Sequence, residues 1–292
     1  MNGMARNGHE SLVDVRWLER HLDDDDLCVV DASWHLPTTG RDARGEYLAA
    51  HIPGAVFFDI DRIADTGSGL PHMLPEAGHF AREAGRLGID NHTRVIVYDS
   101  AGLFSAARVW WMFRVFGHVR VAILDAGLPA WQRADLPLEA GRVERPPAGF
   151  VPHPDPAAVW TLADVQRNLE TGLAAVIDAR PSGRFAGTDP EPRAGLPSGH
   201  IPGARNTPLN TVIDPETGCV RPPAELRERF ADLDERPVVC SCGTGVTACV
   251  LAFALHRLGR EDVAVYDGSW TEWAGRADAP IETGPGDDGP AD

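Results

Sequence analysis

One segment combines a nucleophile with a backbone suited to an anion: Val238-Val239-Cys240-Ser241-Cys242-Gly243-Thr244-Gly245-Val246-Thr247-Ala248-Cys249. It reads as strand, tight loop and helix. Gly243 and Gly245 let the chain curl, so that the successive N–H groups of Gly243, Gly245, Val246 and Thr247 face one bowl. The helix that follows aims its positive end at the same point. A thiol at the bottom of that bowl is favoured as the thiolate, the nucleophilic form. Cys242, the first loop residue, is placed for this role. Cys240 at the strand end and Cys249 inside the helix read as small buried apolar residues.

Rival chemistries fit less well. Cys240, Cys242 and Cys249 do not match structural zinc spacing and have no second pair, so no metal is expected. A thiol phosphatase needs an arginine six residues after its cysteine to clamp phosphate, and Ala248 stands there.

Loop and helix must be carried by a larger frame, and the sequence repeats it. His51-Ile52-Pro53-Gly54-Ala55 recurs as His200-Ile201-Pro202-Gly203-Ala204, an offset of 149 residues. Val29-Val30-Asp31-Ala32 recurs as Val176-Ile177-Asp178-Ala179, offset 147, and Val121 through Trp131 recurs as Val263 through Trp273, offset 142. Ser11-Leu12-Val13-Asp14-Val15 resembles Thr161-Leu162-Ala163-Asp164-Val165 at offset 150, which puts Ser11 and Thr161 at the N-caps of matching helices. The chain therefore reads as a duplication: one domain over 1–139, a Pro-rich extended linker over 140–158 and a second domain over 159–292. Residues 284–292, rich in Gly, Pro and Asp, read as a frayed end.

Within each half, short apolar strands alternate with helices, the pattern of an α/β fold with a mainly parallel sheet flanked by helices. Ligands of such sheets bind beyond the carboxyl ends of the strands, where the Cys242 loop falls. At offset 142, Cys242 aligns with Ser100, in Tyr98-Asp99-Ser100-Ala101-Gly102-Leu103-Phe104. That loop lacks a thiol, so catalysis is expected in the C-terminal half only.

Composition narrows the class. The 292 residues carry 27 basic and 43 acidic groups, a net charge of −16, and every basic residue is arginine. Nucleic acid is a poor partner for such a chain, and Schiff-base lysine chemistry and a Walker A loop are excluded. No apolar run is long enough for a bilayer, no secretory pattern opens the sequence, and five cysteines are an odd set in a large chain. A cytoplasmic protein without membrane association is expected.

These motifs together resemble the two-domain rhodanese family, over nearly the whole chain. Tyr47 through Phe58 is similar to its N-terminal signature. Val263 through Trp273, with Tyr266-Asp267-Gly268-Ser269-Trp270, is similar to its C-terminal one. The loop Cys242-Gly243-Thr244-Gly245-Val246-Thr247 looks most like that of the 3-mercaptopyruvate sulfurtransferases, whereas thiosulfate-preferring members place cations directly after the cysteine. The resemblance implies tandem rhodanese-like domains and sulfur transfer from 3-mercaptopyruvate through a Cys242 persulfide. The acceptor would be thioredoxin, a small thiol or cyanide, and no cofactor would be needed. It further implies that Arg184 and Arg193 bind the substrate carboxylate. Asp61 and His72 would form a proton relay with a loop hydroxyl, here Thr244 where the family has serine. Thiosulfate sulfur transfer is the nearest alternative. A non-enzymatic persulfide carrier or sensor is the alternative from another class.

Overall fold

A computed structural model describes residues 11–286; the last six residues of the stretch read as a frayed end, 287–292, lie outside them. Among the described residues, ten strands and ten α-helices follow in chain order. The N-terminal half holds β1 (Leu12–Val13), α1 (Val15–His21), β2 (Leu27–Asp31), α2 (Ala43–Ala49), β3 (Val56–Phe57), α3 (Ala77–Arg86), β4 (Arg94–Tyr98), α4 (Ala106–Val115), β5 (Val121–Leu124) and α5 (Gly127–Arg133). The C-terminal half repeats the series with β6 (Val159–Trp160), α6 (Leu162–Thr171), β7 (Ala175–Asp178), α7 (Ser182–Ala186), β8 (Arg205–Asn206), α8 (Pro223–Arg229), β9 (Val238–Ser241), α9 (Ala248–Arg257), β10 (Val263–Tyr266) and α10 (Ser269–Ala274). Each half forms a five-stranded sheet, ordered β1-β5-β4-β2-β3 and β6-β10-β9-β7-β8. All ladder pairs are parallel. The central strands are continuous apolar runs from Val95 to Tyr98 in β4 and from Val238 to Cys240 in β9, because helices cover both of their faces.

The repeated motifs have repeated structural duties. In each copy of His-Ile-Pro-Gly-Ala the histidine Nδ1–H donates to a backbone carbonyl, His51 to Tyr47 at 2.7 Å and His200 to Phe185 at 2.9 Å. Each ring stacks on that same aromatic. The glycine N–H of each copy donates to a glutamate late in its half, Gly54 to Glu139 and Gly203 to Glu282. Trp131 and Trp273 both donate Nε1–H to a proline carbonyl.

One expected cap is corrected. Ser11 does not cap a helix; it leads into β1, and Asp14 is the N-cap of α1, accepting from the Trp17 N–H at 2.7 Å. Thr161 does cap α6, in a reciprocal capping box with Asp164. Asp14 and Thr161 are 147 residues apart, so the five-residue match at offset 150 was out of structural register.

The halves share one interior. Each sheet has an outward-facing core, around Trp131 in one and Trp270 and Trp273 in the other. The inward faces merge into a single apolar cluster through α4 and α9. Trp110 of α4 meets Phe253 of α9 edge to face with ring centroids 4.9 Å apart. The connecting stretch runs extended along the N-terminal half. The Ala148, His153 and Asp155 N–H groups donate to the carbonyls of Gly85, Phe116 and Val115.

Candidate active site

The loop after β9 is held from outside. Ser269, at the start of α10, accepts from the Cys242 N–H at 3.2 Å and donates to the Tyr266 carbonyl at 2.8 Å. The Trp270 N–H donates to the Cys242 carbonyl at 2.9 Å; the Thr271 N–H and hydroxyl donate to the Gly243 carbonyl at 3.0 and 2.7 Å. Ser269 has φ 51°, unusual for a side-chain-bearing residue. Gly245 has φ +75°, and a Cβ there would lie 2.7 Å from the Asp267 carbonyl oxygen. Only glycine fits this turn.

This scaffolding consumes the loop's carbonyls and leaves its donors open. Among the described residues, nothing accepts a hydrogen bond from the N–H groups of residues 243 to 248. Six successive open N–H groups thus run from the residue after Cys242 to the first residue of the ten-residue helix α9, a ready anion site.

Cys242, Gly243, Thr244, Val246 and Thr247 line a cavity of about 420 Å³ together with Arg184 and Arg193. Trp34, Leu36 and Phe104 of the N-terminal half form its opposite wall, so the cavity sits between the halves. Cys242 itself is 1% exposed. Burial pushes the thiol of Cys240 well up, and burial does the same for Cys249. Neither of these lines the cavity.

The cations of the cavity are arranged unequally. Arg180 is buried beneath it, stacked on Trp270 at 4.2 Å and paired with Asp178. Glu191 accepts from Arg180 Nη1 at 2.8 Å and from Arg184 Nε at 3.1 Å and Nη2. Arg193 has no ion pair or hydrogen bond to its side chain among the described residues. Burial and the neighbouring Arg184 guanidinium hold its pKa below the ordinary arginine range. Asp178 and Glu191 pair with Arg180 and Arg184, while Glu191, Asp61 and Cys242 act on Arg193 only through longer-range charge, so its guanidinium is open to a ligand.

The structure also brings Asp61 and His72 together. His72 Nδ1 lies 2.9 Å from Asp61 Oδ1, and this contact above all lowers the Asp61 pKa. Neither residue lines the cavity with Thr244. The Trp34 indole intervenes: it lines the cavity, meets the His72 ring edge-on at 4.6 Å, and donates Nε1–H to Asp61 at 3.1 Å. Sequence reasoning missed Trp34, Arg180, Glu191 and Ser269 as site elements. It also missed Arg108 and Asp267. The available signal for Arg108 was a lone charge within the apolar run Ala106-Ala107-Arg108-Val109-Trp110-Trp111.

Comparison with known proteins agrees with this geometry. The rhodanese-like domain model matches residues 14–134 and again 161–276. The chain belongs to the rhodanese family. Its relatives in that family include 3-mercaptopyruvate sulfurtransferase of Homo sapiens, 47% identical over 91% of this chain and 93% of the relative. The enzyme of the same name from Escherichia coli strain K12 is 44% identical, over 92% and 97%. A thiosulfate sulfurtransferase of Cricetulus griseus is 43% identical, over 94% and 95%. The crystal structure of the 3-mercaptopyruvate sulfotransferase SseA from Escherichia coli superposes with a TM-score of 0.82 at 42% identity, covering 89% of this chain and 98% of that one. The rhodanese fold here is thus tandem, α/β, with two parallel five-stranded sheets. Among the described residues, no helix is long and apolar enough to cross a membrane.

Proposed function

We propose that this rhodanese-family chain is a 3-mercaptopyruvate sulfurtransferase working through a persulfide on Cys242. The observation that carries the reading is the unpaired Arg193 guanidinium in the same cavity as Cys242. A guanidinium without an ion pair suits a carboxylate, which arginine holds through two parallel hydrogen bonds. Arg184, already engaged by Glu191, contributes the second and weaker hold.

In the proposed reaction the Cys242 thiolate attacks the sulfur of 3-mercaptopyruvate. The sulfur–sulfur bond forms as the C3–S bond breaks, and its electron pair passes to C3 as the pyruvate enolate. The donor's thiol proton ends on C3, giving pyruvate and an ionised Cys242 persulfide, so atoms and charge balance. The N–H groups of residues 243–248 stabilise that anion as an oxyanion hole stabilises oxygen. Thr244, with His72 and Asp61 behind Trp34, is assigned to moving the proton. An acceptor then takes the outer sulfur and frees the thiolate: cyanide leaves as thiocyanate, while a dithiol such as thioredoxin leaves as a disulfide plus sulfide.

Thiosulfate transfer is the second reading, favoured by relatives such as the Cricetulus griseus enzyme. Against it stands the loop: Gly243 and Thr244, beside the thiol, are uncharged, whereas a dianion favours adjacent cations. The odd cysteine set supports a reducing compartment, the cytoplasm in this reading.

Intact-mass analysis after exposure to 3-mercaptopyruvate tests the proposal. The expected product is one protein species heavier by one sulfur atom, mapped to Cys242 and discharged by cyanide. No sulfur on Cys242 would overturn it.

A further inference from the structure

Below the loop lies a buried polar node that the reaction as written does not use. Arg108 of α4 is fully buried, and its guanidinium stacks on Trp111 at 4.6 Å. Nη1 donates to Asp267 Oδ1 at 2.6 Å and approaches the Gly245 carbonyl at 3.4 Å; Nη2 donates to the His72 carbonyl. The other Asp267 oxygen accepts from the Leu74 N–H at 2.6 Å. Arg108, His72 and Leu74 belong to the N-terminal half. Gly245 and Asp267 belong to the C-terminal half.

The consequence is geometric. The carbonyls of His72 and Gly245 lie on the two terminal nitrogens of one guanidinium. Thr244 immediately precedes Gly245. His72 sits in the left-handed region at φ 61°, a conformation that persists only where its surroundings enforce it. Those surroundings are Arg108 on its carbonyl and Asp267 on the N–H two residues later. Asp267 is also two residues from Ser269, which holds the Cys242 N–H.

We infer that Arg108, with Asp267, is a positioning residue: it locks the His72 segment of one half in register with the Cys242–Thr244 loop of the other. The inference rests on the sulfur-transfer reading above. It makes proton delivery to C3 dependent on the contact between halves, while the groups that attack sulfur and hold the persulfide, Cys242 and the N–H groups of residues 243–248, all belong to the C-terminal half. A donor whose leaving group needs no proton at carbon therefore escapes the requirement.

The test compares wild type with Arg108→Lys, which keeps the charge but cannot bridge two carbonyls and a carboxylate. Two donors are used, 3-mercaptopyruvate followed by pyruvate release and thiosulfate followed by thiocyanate formation with cyanide. The expected result is a kcat for pyruvate release lower by about 10²-fold, the order expected for misplacement at a distance from the reacting atoms. KM for 3-mercaptopyruvate, set by Arg193, stays within about twofold, as does thiosulfate turnover. An unchanged pyruvate kcat, or equal losses with both donors, overturns the inference. A wild type that releases no pyruvate instead overturns the functional reading. In that event, and for Asp267→Asn if the lysine variant does not fold, amide hydrogen exchange decides. The Leu74 N–H, bonded to Asp267, and the N–H groups of Cys242, Trp270 and Thr271, bonded around the loop, should lose protection together; loss on one side alone, or on neither, contradicts the coupling.

Discussion

The two halves carry the same loop and treat it in opposite ways. After β4, Asp99 turns back and fills its own bowl. Its Oδ1 accepts from the Ala101 N–H at 2.9 Å, and its Oδ2 from those of Phe104, Ser105 and Ala106 at 2.7, 2.9 and 2.8 Å. After β9, at offset 142, the same position is Ser241, a buried residue whose hydroxyl has no partner among the described residues. The N–H groups of 243–248 stay open, and Cys242 faces the cavity they line. An anion belongs in both bowls. In one it is a permanent side chain and serves stability; in the other the place is left to a thiolate, a persulfide or a substrate. The thiol alone does not separate the halves: a cysteine at Ser100 would meet donors already engaged by Asp99.

This comparison can be broken or sharpened by experiment. The largest effect is expected from Cys242→Ser, which should abolish sulfur transfer, whereas Ser100→Ala should leave steady-state turnover unchanged. Next is Arg193→Met, expected to raise KM for 3-mercaptopyruvate roughly 100-fold, the scale of losing a charge-assisted contact of about 3 kcal/mol. Arg184→Met should cost less, because Glu191 already holds that side chain. Third, Asp99→Ala strips the acceptor from four N–H groups and should cost about 3 kcal/mol of stability, measured by urea unfolding, with Cys242 chemistry retained. In a Cys242→Ser background, Ser100→Cys should react slowly with iodoacetamide, and adding Asp99→Ser should accelerate it; equal rates would refute the filled-bowl account.

The smallest effect concerns Asp61. Its pKa is lowered in the folded state by His72, so the pair contributes stability above the unfolded-state pKa of about 3.9. That contribution is lost as pH falls through the folded value. The Asp61 carboxylate is largely exposed, so Asp61→Asn should destabilise by under about 1 kcal/mol at pH 7. The difference from wild type should begin to shrink in acid unfolding curves below about pH 4 and vanish only once pH is below the lowered folded value.

Much of the frame was legible in the sequence, because parallel strands buried on both faces are written as apolar runs. β4, from Val95 to Tyr98, and β7, from Ala175 to Ile177, are such runs. Gly117 and Gly259, two residues beyond α4 and α9, fall in the left-handed region, as the glycine that ends a helix commonly does. The short helices α2, α5, α7 and α10 were missed. Each has five to seven residues, too few turns for a 3.6-residue period alone to register, whereas α1, also of seven, was marked by its place in the repeat. Ser11 was misplaced because a five-residue resemblance outweighed the drift of the repeat offset.

Within the site, Cys242 and its glycines declared themselves through local chemistry. Arg193, Asp61 and His72 entered only through family resemblance, since the distances that join them cross the fold. What no local pattern could show is partnership: that Glu191 occupies Arg184 but not Arg193, that Trp34 stands before His72, and that one guanidinium spans both halves. Each depends on residues brought together by tertiary packing.

The most direct test of the central claim is product analysis under a common thiol acceptor. Pyruvate release from 3-mercaptopyruvate is measured beside sulfite release from thiosulfate, for wild type and Cys242→Ser. The account predicts pyruvate well above sulfite, with both lost in the variant. Sulfite in excess, or pyruvate release that survives the loss of the thiol, would contradict it.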